Sequence, residues 1–431
     1  MPASPRAPRI WIVAAGEPLP LPGKKIRLMR AGQIAERLRR RGVDVTWWTS
    51  AFDHIGKEYF PTSAPSLALA DGVQLELLHG QPYRTNISLA RIRNHRQVGA
   101  EFARRALPQP RPDAIFCCYP TIDLALQAGA FGKAQDVPVV MDVRDLWPDA
   151  FAELLPGPKT LWRLLLAPLA RQARRAMASA TAITAVSPGF LEWGLAQAGR
   201  LPTADDHVVR LAYEALPVSE TEIAAAERFW LGQGLKLDGS EHVACFFGTV
   251  STVPEFETAI LALEHLPADI RARTRIVICG IGEKLAMLRE AAKKYPELLV
   301  PGWVDHARIV VLMRHCMAGL LIYPARDYYL TALPNKFGEY ISGGLPIIST
   351  LPGFVGATIA QENCGIVVGN GRADQLAEAI VRLVRQPETL QAMRANARRV
   401  FDRDFNADII YGDLIDRLLK LAGPANAVPR P

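Results

Sequence analysis

The sequence predicts an α/β protein made of two doubly wound domains, each a parallel sheet covered by helices on both faces. Apolar, strand-like runs alternate with segments of helical periodicity along the chain, which is typical of strands joined by crossover helices. At 431 residues the chain is longer than one ordinary domain. The apolar rhythm weakens within residues 211–240. We therefore expect domains at 1–212 and 213–405, followed by a last helix at 406–422.

The strands are predicted from short apolar runs. In the first domain we expect them at 10–15, 43–49, 114–118, 138–142 and 181–186, and in the second at 243–248, 275–279, 317–323, 346–349 and 366–368. Ligands of such sheets bind beyond the carboxyl ends of the strands. We therefore expect the two domains to face each other across a cleft that their loops line.

Composition indicates a globular protein without a membrane helix or a metal site. Hydrophobic residues make up 49% and charged residues 22%, and no apolar run reaches the ~18 residues of a membrane span. The six cysteines lack metal-ligand spacing, which favours reduced thiols in the cytoplasm. The Asp-Arg-Asp motif at 402–404 precedes the last helix, where we expect helix capping.

The net charge of +7 belongs to the first half. Residues 1–212 carry 27 Lys and Arg against 18 Asp and Glu, whereas 213–431 carry 23 against 25. Basic clusters lie at Arg37, Arg39, Arg40 and Arg41, at Arg91, Arg93 and Arg96, and at Arg171, Arg174 and Arg175. These clusters, and the leucine-rich basic helix predicted within 159–175, indicate an anionic partner such as a membrane surface or a lipid diphosphate. Solvated helix faces that cover their own domain are the alternative. No recognised motif points to nucleic acid.

The most informative segment is 331–350. Pro334 can open a helix there, and a glycine pair ends it before the strand at 346–349. The uncompensated N–H groups of the helix start favour an anion. Lys336 and Glu339 share one helix face, which suits a phosphate with a ribose beside it. A capped surface helix with an ion pair is the alternative.

The sequence Asp-Val-Arg-Asp-Leu-Trp-Pro at 142–148 follows a predicted strand. Charges buried at such a position need partners or a ligand. Arg144 and Asp145 are therefore candidate catalytic residues, and an internal Asp–Arg network is the alternative. Because arginine stays protonated, Arg144 would act electrostatically and not as a base.

Glycines follow the first two strands of the second domain. Gly248 and Thr249 follow the first strand, and Gly280, Gly282 and Glu283 follow the next. At positions 280 and 282, glycine allows the backbone to approach a nucleotide closely, although a plain strand–helix turn would use the same residues.

Weaker signals lie in the first domain. Gly23 and Lys24 precede a predicted helix at 26–41, where a glycine and a lysine favour an anion. Arg91 and His95 are helically spaced. They would bind an acceptor phosphate or belong to a solvated basic face.

The segment Pro-Asn-Lys-Phe-Gly-Glu-Tyr-Ile-Ser-Gly-Gly-Leu-Pro at 334–346 resembles the signature of retaining GT-B glycosyltransferases of family 4. The Asp-Leu-Trp-Pro motif at 145–148 resembles a subgroup that acts on bacterial surface polysaccharides. The resemblance covers nearly the whole chain in order. It implies two Rossmann-like domains, with the last helix packed back on the first.

The resemblance also implies roles for individual residues. Glu339 would hold the ribose of a nucleotide-sugar donor, and Lys336 is expected to neutralise the departing diphosphate. Arg144 and Asp145 would approach the reacting sugar from the first domain. The predicted donor-binding residues are Gly248, Thr249, Gly280, Gly282, Glu283, Val304, Thr331, Leu333, Asn335, Lys336 and Glu339.

Three positions depart from the family pattern. Thr331 replaces a second Glu that usually faces the donor sugar, and Thr249 with Pro254 or Glu255 replaces an Arg and a Lys that usually grip the diphosphate. These departures keep open a non-catalytic nucleotide- or glycan-binding partner of another transferase, while a GT-B epimerase is a further alternative.

The predicted function is transfer of a sugar from a nucleotide-diphosphate donor, with retention, to a lipid-linked or surface-glycan acceptor. We expect this reaction to need neither metal nor cofactor. The expected location is the cytoplasm. Peripheral attachment to the inner face of the plasma membrane through the basic first half is an open alternative.

Overall fold

The computed structural model describes residues 6–21, 26–62, 64–86, 88–155, 157–214 and 217–423. The chain divides into two compact units: unit 1 comprises residues 1–211 and 407–431, and unit 2 comprises residues 212–406. The boundaries drawn from the sequence lie one residue away from these. Gly23 and Lys24, proposed as part of a phosphate loop, lie outside the described residues.

Unit 1 alternates strands and helices, beginning with a strand. In chain order its elements are β1 (Arg9–Val13), α1 (Arg30–Arg40), β2 (Asp44–Ser50), β3 (Phe52–Asp53), β4 (Glu58–Tyr59), β5 (Ser66–Ala68), β6 (Gln74–Leu78), α2 (Leu89–Ala106), β7 (Ala114–Tyr119), α3 (Ile122–Gln135), β8 (Val139–Val143), α4 (Asp149–Leu154), α5 (Lys159–Leu165), α6 (Ala167–Ala178), β9 (Ala182–Ala185), α7 (Pro188–Ala198) and β10 (His207–Val208).

Eight strands of unit 1 form one sheet in the order β10-β9-β8-β7-β1-β2-β6-β5. All neighbours are parallel except β5 and β6, and β3 pairs with β4 as a separate antiparallel ribbon. The chain builds outward from β1 on one side and from β7 on the other. The strand order therefore reverses between β1 and β7, and this reversal leaves a crevice at their carboxyl ends.

Unit 2 repeats this alternation. Its elements are α8 (Glu220–Gly232), β11 (His242–Phe247), α9 (Phe256–His265), α10 (Ala268–Arg271), β12 (Thr274–Cys279), α11 (Leu285–Lys294), β13 (Leu298–Gly302), α12 (His306–His315), β14 (Cys316–Leu321), α13 (Asp327–Thr331), α14 (Asn335–Ser342), β15 (Ile347–Ser349), α15 (Gly353–Glu362), β16 (Gly365–Val367), α16 (Ala373–Arg385) and α17 (Pro387–Asp404).

The sheet of unit 2 is parallel throughout, in the order β13-β12-β11-β14-β15-β16. Alternate residues of β11 enter different cores: Val243, Cys245 and Phe247 belong to one buried cluster, and Ala244 and Phe246 to the other. Both faces of the sheet are therefore covered, as a parallel sheet requires.

The last helix, α18 (Ala407–Ala422), belongs to unit 1 and contacts α1 and β7. Arg37 of α1 donates to Asp408 at 2.7 Å, and Arg41 is paired with Asp416. The ring of Tyr411 lies 5.5 Å from the guanidinium of Arg30. None of the helices in the described ranges is both long and apolar enough to cross a bilayer.

The predicted α/β class is confirmed in both units, and each predicted strand corresponds to an observed one within two residues. Three details differ. The segment 159–175 is two helices, because α5 ends at Leu165 and a proline lies in the first turn of α6. Pro334 is the N-cap residue of α14 and not its first helical residue. Strand β13 contains a proline and a glycine that favour a turn by sequence.

Candidate functional site

The larger candidate site lies in unit 2, beyond the carboxyl ends of β11, β12 and β13. The strand order reverses between β11 and β14, and such a reversal separates the loops on either side. The first residues of α14 line one wall. The cavity has a volume of about 570 Å³ and is lined by Phe247, Gly248, Thr249, Cys279, Gly280, Ile281, Trp303, Val304, Ile309, Asn335, Lys336 and Glu339.

The amine of Lys336 lies at the end of β11. Its Nζ is 4.8 Å from the centre of the Phe246 ring, and it occupies the space beside Gly248, where a Cβ would come within 2.5 Å of it. Burial lowers the pKa of Lys336 from the ordinary lysine value, and the Glu339 carboxylate offsets only part of this effect. The cavity wall therefore carries an incompletely solvated amine, and an anionic ligand would stabilise its charged form.

The glycines of this site permit close packing between two loops. Gly248 and Gly280 have φ angles of 144° and 145°, in a region where other residues are strained. The Gly248 N–H donates to the Cys279 carbonyl oxygen at 2.9 Å, and a Cβ on Gly280 would overlap the Gly248 carbonyl oxygen. A Cβ on Gly282 would similarly overlap the backbone of Val250. The backbone of the neighbouring loop therefore lies close to Gly280 and Gly282, where the sequence predicted a nucleotide.

Helix α14 is anchored by its buried face. The Tyr340 hydroxyl donates to the Leu320 carbonyl oxygen at 3.1 Å, and the tyrosine ring fills the space where a Cβ on Gly319 would lie. With that face held, Lys336 and Glu339 both line the cavity, as their predicted shared face requires. The uncompensated N–H groups of the first turn belong to the same end of the helix.

The structure brings together seven of the predicted donor-binding residues: Gly248, Thr249, Gly280, Val304, Asn335, Lys336 and Glu339. It does not place the other four, Gly282, Glu283, Thr331 and Leu333, on the cavity wall. Leu333 is part of the buried core, and Thr331 ends α13, where its hydroxyl donates to the Tyr328 carbonyl oxygen at 3.3 Å. Glu283 is exposed and accepts the Thr252 N–H at 3.3 Å.

Five lining residues were not among the predicted ones: Phe247, Cys279, Ile281, Trp303 and Ile309. Trp303 is 64% exposed although it is a large aromatic residue. It adjoins Val304 in the turn after β13, so its position beside a predicted site residue is the signal that could have identified it.

A second cavity, of about 110 Å³, lies in unit 1 at the carboxyl ends of β1, β2 and β7. It is lined by Ala15, Gly16, Ser50, Phe52, His54, Tyr83, Arg91, Asn94, His95, Val98, Pro120, Thr121 and Trp147. The predicted residues Arg91 and His95 meet here. Sequence reasoning missed His54 and Tyr83, because neither belongs to a spaced motif.

Trp147 organises this second cavity. Its indole stacks on the His95 ring with centroids 5.8 Å apart, and the Arg91 guanidinium lies 4.4 Å from the indole centre. The Trp147 Nε1–H donates to the Asp145 carboxylate at 3.0 Å. Asp145 therefore holds the tryptophan in place. His54 Nδ1 and the Tyr83 hydroxyl are hydrogen-bonded at 2.7 Å.

The two histidines of this cavity are held neutral. Burial, with Arg91 and Lys57 nearby, lowers the pKa of His54 to about 4. Burial, with Arg91 and His54 nearby, lowers the pKa of His95 to about 3. Burial opposes the charged form, and the neighbouring cations repel it.

Arg144 and Asp145, the candidate catalytic residues of unit 1, line neither of these two cavities. Arg144 is paired with Glu17, a buried carboxylate that also accepts the Ala31 N–H at 2.9 Å in the first turn of α1. An internal network, the alternative interpretation of the 142–148 motif, thus accounts for the contacts of Arg144. The motif still contributes to the cavity through Trp147.

Two family models match the chain. The one described as "Glycosyl transferase 4-like domain" matches residues 29–212, and the one described as "Glycosyl transferases group 1" matches residues 232–400. Together they take in most of both units. No curated protein matches the chain in sequence.

Solved structures share the fold over nearly the whole chain. Anabaena Alr3699/HepE in complex with UDP has a TM-score of 0.64 at 15% identity, over 96% of this chain and 100% of that one. Sucrose-phosphate synthase from Thermosynechococcus elongatus has 0.67 at 16%, over 96% and 99%. WaaG, a glycosyltransferase involved in lipopolysaccharide biosynthesis, has 0.63 at 15%, over 95% and 99%. These likenesses are of fold, and they confirm the predicted GT-B class.

We expect Gly248→Ala to destabilise the protein by ~1–3 kcal/mol, the range for one strained backbone conformation, because residues with a side chain rarely adopt the φ of 144° found here. The new Cβ would also displace the Lys336 amine. The free energy of unfolding, measured by urea denaturation, tests this. Gly232→Ala is the control, since no atom of the described part of the chain lies within 4 Å of a Cβ there. Equal effects of the two substitutions would contradict the packing described for Gly248.

The low pKa of His95, about 3, predicts a pH dependence of stability. In the unfolded chain the His95 side chain binds a proton near pH 6.5, whereas in the folded chain it binds one only near pH 3. Stability from this group is therefore complete above pH 6.5 and is lost as the pH falls towards 3, by up to ~1.4 kcal/mol per pH unit.

We expect both His95→Gln and His95→Phe to reduce this slope, measured as unfolding free energy between pH 7 and 4.5. The phenylalanine variant keeps an aromatic ring beside Trp147, so it separates titration from stacking. A wild-type slope in both variants would show that His95 titrates normally.

Proposed function

We propose that this chain, which two glycosyltransferase family models match, is a GT-B glycosyltransferase of the family-4 type. In this proposal unit 2 binds a nucleotide-diphosphate sugar, and the sugar is transferred with retention. The observation that carries this proposal is the convergence of Lys336, Glu339 and the start of α14 on one cavity. Alr3699/HepE, which shares the fold, has been solved with UDP and with UDP-glucose, and this supports a donor of the same chemical class.

Lys336 is proposed to neutralise the leaving diphosphate. As the glycosidic bond breaks, negative charge grows on the departing phosphate, and a preorganised cation stabilises that state most in a partly desolvated site. The start of α14 contributes its N–H groups to the same anion. Lys336 lies against Gly248, so its amine approaches the loop from which the family's arginine is missing.

Glu339 is proposed to accept hydrogen bonds from the ribose hydroxyls of the donor. It lies one helical turn beyond Lys336 and lines the same cavity, so phosphate and ribose would contact successive turns of α14. Trp303 offers an exposed aromatic surface on the wall of that cavity. A base could stack on this surface.

The acceptor is proposed to be a glycan carried on a lipid diphosphate and bound by unit 1, in surface-polysaccharide synthesis at the inner face of the plasma membrane. The excess positive charge of the first 212 residues supports an anionic acceptor. In the cavity of unit 1, Arg91 lies beside neutral aromatic and histidine side chains, which suits a sugar phosphate. The fold likeness to WaaG is consistent with this pathway.

The first test of the proposal is Lys336→Ala. We expect turnover to fall ~10²–10³-fold, the usual cost of losing one preorganised electrostatic donor, with a smaller rise in KM for the donor because the charge grows in the transition state. Lys336→Arg should recover only part of the rate. The rate of nucleoside diphosphate release is the measurement.

Lys284→Ala serves as the control, since Lys284 pairs with Glu257 in the same unit and does not line the cavity. Near wild-type turnover in Lys336→Ala would exclude the proposed role. Absence of nucleoside diphosphate release by the unaltered protein, with every donor tested, would favour the non-catalytic binding partner that Thr249 and Thr331 leave open.

Glu339→Gln should weaken nucleotide binding about ten- to a hundred-fold, because a hydrogen bond to a charged group contributes ~1.5–3 kcal/mol. Calorimetric titration with UDP, GDP, ADP and TDP measures the affinity and also identifies the base. Glu378, which is exposed on α16 and does not line the cavity, is the matched control when it is changed to Gln. Unchanged affinity in a folded Glu339→Gln protein would remove this residue from the site.

A further inference from the structure

A mainly apolar groove of about 450 Å³ lies next to the cavity of unit 1. Its walls come from the first half of α2, from α4 and α5 and from the start of α6, and include Leu89, Ile92, Phe151, Trp162, Leu165 and Leu169. Leu89 and Leu165 are 73% and 59% exposed. Exposed leucines gathered along one concavity indicate a surface that an apolar ligand covers.

The groove opens into the polar cavity of unit 1. Arg91, His95 and Trp147 line both, so one continuous surface changes from aliphatic to cationic and aromatic. The Arg91 side chain lies where this change occurs: its Nη1 donates to the Asn86 carbonyl oxygen at 2.8 Å, while its buried Nε has no hydrogen-bond partner among the described residues. Such a surface matches an amphiphile with an apolar chain and an anionic head.

We propose that the groove binds the hydrocarbon chain of the acceptor, with the acceptor's phosphate at Arg91. This inference rests on the proposed function, in which the acceptor is a lipid diphosphate. It adds the position of the acceptor's hydrocarbon chain, and it names Arg91 as the residue at the boundary between that chain and the phosphate.

The charges around the groove favour this occupant. Arg96 and Asp123 also line it, and their opposite charges leave Arg91 as the excess cation at the inner end. The volume is within the ~300–1,000 Å³ of small-molecule sites. It suits one chain segment and not the broad contact that a bilayer surface makes with an amphipathic helix.

Alkyl phosphates test the proposal without a transfer reaction. Butyl, octyl and dodecyl phosphate, dodecanol and inorganic phosphate are compared below their micelle concentrations, with a dibrominated dodecyl phosphate as a quencher of the fluorescence of Trp147 and Trp162. Burial of each methylene contributes ~0.8 kcal/mol, which is about fourfold in affinity. Dodecyl phosphate should therefore bind more than 100-fold more tightly than butyl phosphate, and inorganic phosphate weakest.

Two substitutions locate the chain and the head. Leu165→Asp should abolish the dependence on chain length, whereas Leu201→Asp, which alters a leucine of unit 1 that is 85% exposed and lies outside the groove, should keep it. Arg91→Gln should reduce the preference for dodecyl phosphate over dodecanol about tenfold or more. Circular dichroism and the thermal shift produced by UDP verify that each variant is folded.

Equal affinities for the three alkyl phosphates would overturn the proposal. The proposal would also be overturned if Leu165→Asp reduced flotation with phosphatidylglycerol vesicles but left alkyl phosphate binding unchanged. That result would show that the leucines contact a membrane surface. Failure of the proposed function has a different signature: UDP does not bind, or no nucleoside diphosphate is released, while the chain-length dependence of alkyl phosphate binding persists.

Discussion

The buried ion pair between Arg30 and Asp142 is the interaction on which the carboxyl edge of the unit 1 sheet depends. The two side chains are 2.6 Å apart and almost completely buried, and charges in such a place are costly unless each is paired and hydrogen-bonded. Thr184 donates to the same carboxylate oxygen at 2.7 Å, and Arg30 donates to the carbonyl oxygens of Val209 and Arg210. One guanidinium thus connects the start of α1 with β8 and the segment after β10.

Pairing of this kind separates structural charges from charges available to a ligand. In unit 1, Arg144 is paired with Glu17, whose second carboxylate oxygen accepts an N–H at the start of α1. In unit 2, Lys336 lies on a cavity wall, and its pKa is lowered because burial outweighs the nearby Glu339 carboxylate. A bound anion would stabilise the Lys336 ammonium, whereas Arg144 already has its counter-ion. This contrast supports giving the electrostatic role to Lys336.

Local sequence patterns were sufficient for the fold and for much of the lining of the unit 2 cavity. Apolar runs located the main strands, and the order of Pro334, Lys336 and Glu339 described a helix whose first turn lines a cavity. Periodicity carries no information on partners distant in sequence. The pairing of Arg144 with Glu17, 127 positions away, and the entry of His54 into the cavity of Arg91 result from strand order. Motif spacing therefore could not predict them.

The packing of Lys336 against Gly248 gives a physical explanation for the arginine that is missing after Gly248. Gly248 lacks a Cβ, and Lys336 Nζ fills the space that a Cβ would enter. The absence of a side chain at Gly248 therefore allows the Lys336 amine of α14 to lie at the end of β11. Thr249, which lines the same cavity, carries no charge. The departure from the family pattern and the position of Lys336 are thus consistent with one arrangement, in which the diphosphate is neutralised from the helix and not from the loop.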